Sequence, residues 1–350
     1  MKRPSLALAA GLAVMLSVGS HVAQAHGPDP MFSGNLWARD QVVGYTWRTG
    51  QVPPDWMATT IDGGAADANA TRASRAATFT RVAGAASLIA YGEPTNCSSA
   101  GLACIDRSGA PTSFRMWFRA TGYAFDWGTF RWCQAPSSLV DGCYDARTVT
   151  LDEFGHIEIL AHHVNLADGS DFGDAVVQAE SRPRPQAGWN AHAFGRCDVA
   201  RLQLEYERRS TWDTVSTCLK LATAATLAPS STAIVQGEQV RFTATLRITS
   251  DTANRALAGD ALSGRVVILQ RRAPGGTTWT TVSTMTPSTT VAGSYAANWP
   301  PSSTYDWRAT FATPSAEGLV GSASATVRIT VDACTTSICP NAVLSGGARQ

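Results

Sequence analysis

The run Leu151-Asp-Glu-Phe-Gly-His-Ile-Glu-Ile-Leu-Ala-His-His163 gathers the side chains of this chain best suited to chemistry. On an α-helix, residues four apart share a face, so Asp152 and His156 point the same way. Carboxylate oxygen and imidazole nitrogen bind zinc at about the same distance, so both can be ligands. Asp is the shorter of the two, so an ion held by Asp152 must sit nearer the helix or bind through a water. Glu153 lies beside this face, within reach of a bound water. That is the arrangement in which a glutamate takes the proton of a metal-activated water.

His162 is the third candidate donor. On a continued helix it would lie about 9 Å further along the axis, on another face. It reaches the same ion only if the chain breaks after His156 and doubles back. Glycine makes such a break easily, because it takes positive φ without penalty. The break position here is Ile159, and a β-branched residue with positive φ is an outlier. The break is therefore made with ordinary angles or not made.

The same residues have plainer roles. Thr150-Leu-Asp-Glu153 matches the S/T-x-x-E capping box, in which Glu153 only satisfies a backbone N–H. Asp152 would then be a first-turn carboxylate favoured by the helix dipole. His156 could be a core histidine bonded to a carbonyl, and His162 a surface histidine at a helix end. His163 and His192 read as structural. Asp168, Asp171 and Asp174 lack the closing Glu of a calcium loop and read as a solvated turn, although a carboxylate there could replace a missing ligand.

Elements on either side must position these residues. The chain has 350 residues, 44% of them hydrophobic, enough for two cores of ordinary size. A formal net charge of +1 gives no field toward nucleic acid or anionic membrane. Lys2-Arg3, an apolar run from about Leu6 to Val18 and Ala23-Gln-Ala25 make residues 1–25 a secretory signal peptide. No later stretch is long enough to span a membrane. A soluble, secreted monomer is expected. An even set of 8 cysteines in an exported chain favours disulfides, simplest as 97–104, 133–143, 197–218 and 334–339.

Val42 to Trp47 and Phe114 to Arg119 alternate as strands. Met57 to Ala77, Arg147 to His163 and Asp198 to Tyr206 carry helical patterns. Residues 26–220 therefore read as an α+β domain, and 221–228 as a linker. From there to 333 the chain is rich in Thr, Ser, Val and Ala, with short strands Val240–Leu246, Arg265–Gln270, Trp279–Val282, Ser294–Trp299, Tyr305–Phe311 and Ser324–Val331. Turn residues separate them at the spacing of an all-β immunoglobulin-like sandwich. Residues 334–350 read as a tail. Gly-rich phosphate loops and Gly-x-Ser-x-Gly are absent, and no basic aromatic stripe suggests nucleic acid.

Val149-Thr-Leu-Asp-Glu-Phe-Gly-His156, His162, the turn Asp174-Ala-Val-Val-Gln178 and Asp198-Val-Ala-Arg-Leu-Gln-Leu-Glu-Tyr206 together resemble the matrixin-type metzincin metallopeptidases. The last segment is similar to that family's closing helix, and 174–178 falls where the family has its Met-turn. The resemblance implies a metzincin-like α+β fold, zinc, hydrolysis of peptide bonds in a peptide or protein substrate, Glu153 as general base, and His156 and His162 as ligands. Asp152 stands where the family has histidine, Ile159 where it has glycine, and Val176-Val177 supplies no methionine. Gln270-Arg-Arg272, Gly275-Gly276 and Tyr305-Asp-Trp-Arg308 resemble bacterial immunoglobulin-like modules appended to exported proteins. Two functions are expected: a zinc metalloendopeptidase with an altered metal site, or an inactive pseudo-peptidase serving as an extracellular binding or adhesion module.

Overall fold

Apolar alternation through Val42-Val-Gly-Tyr-Thr-Trp47 forms strand β1 (Val42–Trp47). In the computed structural model, which describes residues 28–92, 101–106, 112–125, 128–134, 139–163, 174–178, 181–249 and 260–333, it lies inside a five-stranded sheet. The expected signal peptide, Cys97, Asp168, Asp171 and the tail fall outside the described residues. The other strands are β2 (Thr78–Arg81), β3 (Ser87–Tyr91), β4 (Ala103–Asp106) and β5 (Arg115–Phe118). Their order is β2-β1-β3-β5-β4, parallel except for the edge strand β4. A short hairpin of β6 (Ala124–Phe125) and β7 (Gly128–Thr129) follows.

Parallel neighbours need a crossover, and helix α1 (Asp55–Thr71) supplies it between β1 and β2. The predicted helix to Ala77 is thus shorter: the chain leaves it through Ala73, whose φ is 46°. Gly63 and Gly64 lie inside α1 and serve packing. A Cβ on Gly64 would meet the Thr150 side chain at 2.6 Å, so the missing side chains let helix α2 (Ala146–Ile157) approach closely. Arg147 locks the two helices with a pair of 2.6 Å hydrogen bonds to the Asp67 carboxylate. On the sheet side, the fully buried Phe154 stacks on Phe79, with ring centres 4.5 Å apart, and meets Phe114 edge-on.

Helix α3 (Arg196–Tyr206) closes the first half of the chain. Its buried residues Cys197 and Ala200 belong to the second hydrophobic core, beside Val215, Phe242 and Trp307. The disulfide Cys197–Cys218 fastens α3 to the segment that follows it, and Cys133–Cys143 closes a loop ahead of α2. Both match the neighbour pairing. Cys104 is also disulfide-bonded.

The second half is a two-sheet β structure. One sheet runs β13 (Thr286–Pro287), β14 (Ser294–Trp299), β10 (Val240–Ile248), β8 (Leu221–Pro229), β16 (Leu319–Val320). The other runs β12 (Thr280–Thr284), β11 (Val267–Arg272), β15 (Tyr305–Phe311), β18 (Val327–Asp332), β9 (Ala233–Val235), with β17 (Ser322–Ala323) paired to β15. Phe242, Leu269, Tyr295 and Trp307 fill the space between the sheets.

The expected linker 221–228 is instead part of strand β8, in antiparallel register with β10 from Thr223–Ile248 to Pro229–Phe242. Small Thr and Ala residues suit a flexible connection and a half-buried strand equally, and only the partner strand decides between them. With no linker, the two cores are joined directly. Arg265 donates two hydrogen bonds to Glu317 and others to the carbonyls of Thr211 and Asp213. Gly318 lies so close to the Ser216 and Leu219 carbonyls that a Cβ there would fall 2.0 and 2.1 Å from them. Gly318→Ala should therefore destabilise the protein by roughly 1–3 kcal/mol or more through overpacking against backbone. An unchanged urea midpoint would show that this junction is looser than described.

Candidate metal centre

Helix α2 begins four residues before the proposed capping box. Its N-cap is Asp145, whose carboxylate accepts the Thr148 N–H at 3.0 Å. Thr150 is interior and donates its hydroxyl to the Ala146 carbonyl at 2.7 Å. Glu153 therefore has no capping role, and Asp152 is not in the first turn. Both carboxylates are carried on a buried helix that is held at its start by a cap and along its length by α1.

The helix ends at Ile157 and the chain reverses at Ile159, which takes φ 103°. The Leu160 N–H bonds the Gly155 carbonyl at 2.9 Å and the Ile159 N–H bonds the His156 carbonyl at 3.0 Å. These two bonds make a Schellman motif, with Ile159 at the position glycine usually takes. The predicted helical pattern to His163 is cut short there. The Ile159 side chain is fully buried, and the remaining carbonyls at the helix end find side-chain donors. Trp37 Nε1 bonds Ile157 O at 2.9 Å, and Tyr206 Oη bonds Glu158 O at 3.0 Å.

The reversal brings His162 back to His156. Their Nε2 atoms stand 3.0 Å apart, and Asp152 Oδ2 lies 3.7 Å from His156 Nε2. One donor atom from each of Asp152, His156 and His162 falls within 4.8 Å of the others. His156 Nδ1 sits 2.8 Å from the Leu160 carbonyl, which fixes the proton there and leaves the Nε2 lone pair toward the cluster. Asp152 Oδ1 accepts the Gln178 N–H at 3.0 Å, leaving Oδ2 to face the histidines. His156 is buried, while His162 is exposed and opens the cluster to solvent.

Charge favours a cation here. Burial pushes the Asp152 carboxyl up to about 7, against the pull of His162 and the Gln178 N–H. Burial, and then the neighbouring Asp152, pushes Glu153 well above the usual range. Burial lowers both His156 and His162, so both imidazoles are held neutral, the form that binds metal. Glu153 Oε2 is buried without a hydrogen-bond partner. One carboxylate and two neutral imidazoles are a donor set used for catalytic zinc, which keeps three protein ligands and an open position.

The other candidates stay outside the cluster. His163 turns to Asp29, His192 bonds Asp145 at 2.7 Å, and Asp174 pairs with Arg196. The turn Asp174–Gln178 lies beneath the site. Its Val177 carbonyl accepts the His163 N–H at 2.8 Å, its Val176 N–H bonds Asp198 at 2.7 Å and its Gln178 N–H bonds Asp152, which ties it to three elements at once. Sequence reasoning missed the contributions of Leu160 O and Gln178 N, because backbone groups carry no residue signature. It also missed Asp29, which lies 134 residues from His163.

No family model matches the chain, and no curated protein matches it. Among solved structures, similar chains include a candidate superoxide reductase from Thermotoga maritima, at 9% identity and TM-score 0.22, covering 31% of this chain and 86% of that one. The sporulation control protein of Bacillus subtilis gives 13% identity and TM-score 0.21, covering 32% of this chain and 50% of that one. A conjugative transposon lipoprotein from Bacteroides eggerthii gives 7% identity and TM-score 0.17, covering 31% and 95%. Similarity at this level does not define a shared fold.

The strained reversal yields a differential test. Ile157 and Ile159 are both fully buried. Ile159→Gly loses core contacts but relieves backbone strain of about 1–2 kcal/mol. Ile157→Gly loses similar contacts and adds about 1 kcal/mol of helix penalty. Ile159→Gly should thus be the milder change by roughly 2–3 kcal/mol in urea unfolding. Equal costs would mean that Ile159 is not strained.

Proposed function

We propose that this chain is a secreted zinc-dependent peptidase of metzincin type, with its metal held by Asp152, His156 and His162 and with Glu153 as general base. The observation that carries the reading is the convergence of those three donors next in sequence to a buried glutamate whose Oε2 has no hydrogen-bond partner. Further support comes from the segments that resemble the family. Residues 149–156, His162 and the turn 174–178 meet at this one cluster, and α3 holds the turn through Asp198. The disulfides Cys133–Cys143 and Cys197–Cys218 fit an exported protein.

When bound, zinc would polarise the scissile carbonyl and lower the pKa of its water. The residues of the chain do the rest. Asp152 contributes a negative ligand oriented by the Gln178 N–H, so the site keeps less net positive charge than one built from three histidines. His156 is held in one tautomer by Leu160 O. Glu153, raised by burial and then by Asp152, is a stronger base than a free carboxylate and would take the proton of the water and return it to the leaving amine. His162, on the exposed side, leaves the cluster open to a polypeptide.

Purified without chelator, the protein should carry close to one zinc per chain, and less than about 0.1 equivalent would sink the reading in favour of a pseudo-peptidase. Glu153→Ala should reduce hydrolysis of denatured casein by about 10²–10⁴-fold with zinc content unchanged. Activity that survives this change belongs to another residue. Asp152→His should retain zinc on the same scaffold. Ligands bind metal deprotonated, and the Asp152 carboxyl is raised to about 7 by burial. Zinc affinity should therefore weaken as pH drops through that value, read by competition with a chelator of known pH dependence. An affinity with the same pH dependence in Asp152→Asn would exclude Asp152 as a ligand.

A further inference from the structure

The segment Asp29–Phe32 reaches each of the three donors by a separate route. Its backbone pairs antiparallel with the reversal loop: Phe32 N–H bonds Ile159 O at 2.9 Å, Ala161 N–H bonds Pro30 O at 3.0 Å, and Met31 bridges Leu160. The Phe32 ring packs on the His156 imidazole, 5.4 Å centre to centre. Asp29 is fully buried, with Oδ1 2.5 Å from His163 Nδ1, next in sequence to His162. The Asp29 carboxyl also neighbours that of Asp198, which it helps to hold up. Asp198 accepts the Val176 N–H at 2.7 Å, within the turn whose Gln178 N–H orients Asp152. Arg201 fixes the segment from outside, with Nε 2.5 Å from the Asp29 carbonyl.

A carboxyl is costly to bury unless its partners are arranged for it. Here the partners lie on the loop carrying His162 and on α3, so Asp29 adds a side-chain link to the one those elements already have through Val177. Burial holds Asp29 up, to about 6, and Asp198 well up, and the neighbouring Asp29 adds to the rise of Asp198.

We propose that Asp29–Phe32 is a built-in strap that completes the metal centre: Asp29 is the positioning residue for the His162 loop, and Phe32 covers His156. The proposal rests on the zinc reading above but has its own metal-free readout. No group of the strap touches the ion; it acts by holding the donors in place, as residues behind metal ligands do.

The test uses the full chain as wild type, Asp29→Ala, Asp29→Asn, Phe32→Ala and Arg201→Ala. Zinc affinity is measured by competition with a chromophoric chelator, the cobalt(II) visible spectrum reports ligand geometry, and amide exchange is followed at Ala161 in the metal-free protein. Asp29→Ala should weaken zinc by about tenfold or more, shift the cobalt bands, and speed Ala161 exchange by a similar factor. Leu269, in the sandwich, should exchange at the wild-type rate. Asp29→Asn keeps the shape and can still bond His163 and Asp198, so it should recover most of the affinity. Phe32→Ala should shift the cobalt bands with a smaller loss of zinc.

Wild-type zinc affinity and Ala161 exchange in Asp29→Ala overturn the strap. If Asp29→Ala does not fold, Arg201→Ala decides: faster Ala161 exchange and weaker zinc support the proposal, and no change in either overturns it. A wild type that binds no zinc defeats the functional reading alone, and the exchange comparison still judges the strap.

Discussion

The chain reversal at Ile159 is the constraint on which the site depends. A helix running on through His162 would carry its imidazole to another face, and the three donors would never meet. The reversal needs positive φ, and Ile159 takes it at 103° despite its branched Cβ. The strain is of order 1–2 kcal/mol. It is offset by burying the Ile159 side chain, worth about 1.5–3 kcal/mol, and by giving every carbonyl at the helix end a donor. Those donors come from far along the chain, from Trp37 and Tyr206. The turn is therefore held by tertiary contacts where a glycine would have made it locally.

Around the reversal the protein buries an unusual number of acids. Asp29, Glu153, Glu158 and Asp198 are all nearly inaccessible, and burial raises each of them. Asp198 is compensated by the N–H groups of Val176 and Gly195, which makes it the fastener between α3 and the turn beneath the site. Asp29 and Asp198 together tie that turn to the His162 loop. The buried Oε2 of Glu153 has no hydrogen-bond partner.

The two halves of the chain form one continuous body because α3 is shared. Its inner face carries Leu202 and Tyr206 to the first core, while Cys197 and Ala200 enter the second. Strand β8 starts almost at once after Cys218, and Arg265 and Gly318 seal the junction. The sandwich thus braces the helix that supports the site.

Several elements could be read from residues alone. Val42–Trp47, Ser294–Trp299 and Tyr305–Phe311 are strands with the bounds their alternation predicts, because a period of two leaves little freedom once one face is buried. The strand-rich second half was legible from composition and strand spacing, and the residues Asp152, Glu153, His156 and His162 were legible as a candidate set, of which Asp152, His156 and His162 come together. Helix ends were less so. Capping by Asp145 in place of Thr150 was settled by where α2 packs, and β8 by the strand available to pair with it. The fate of Ile159 was beyond sequence reasoning, since local preference opposes the angle that distant donors and core burial impose. The supports from Asp29, Leu160 O and Gln178 N were hidden for a related reason: they act through backbone groups or across long stretches of chain. Local sequence determined which side chains could bind a metal, and tertiary packing alone decided that they meet.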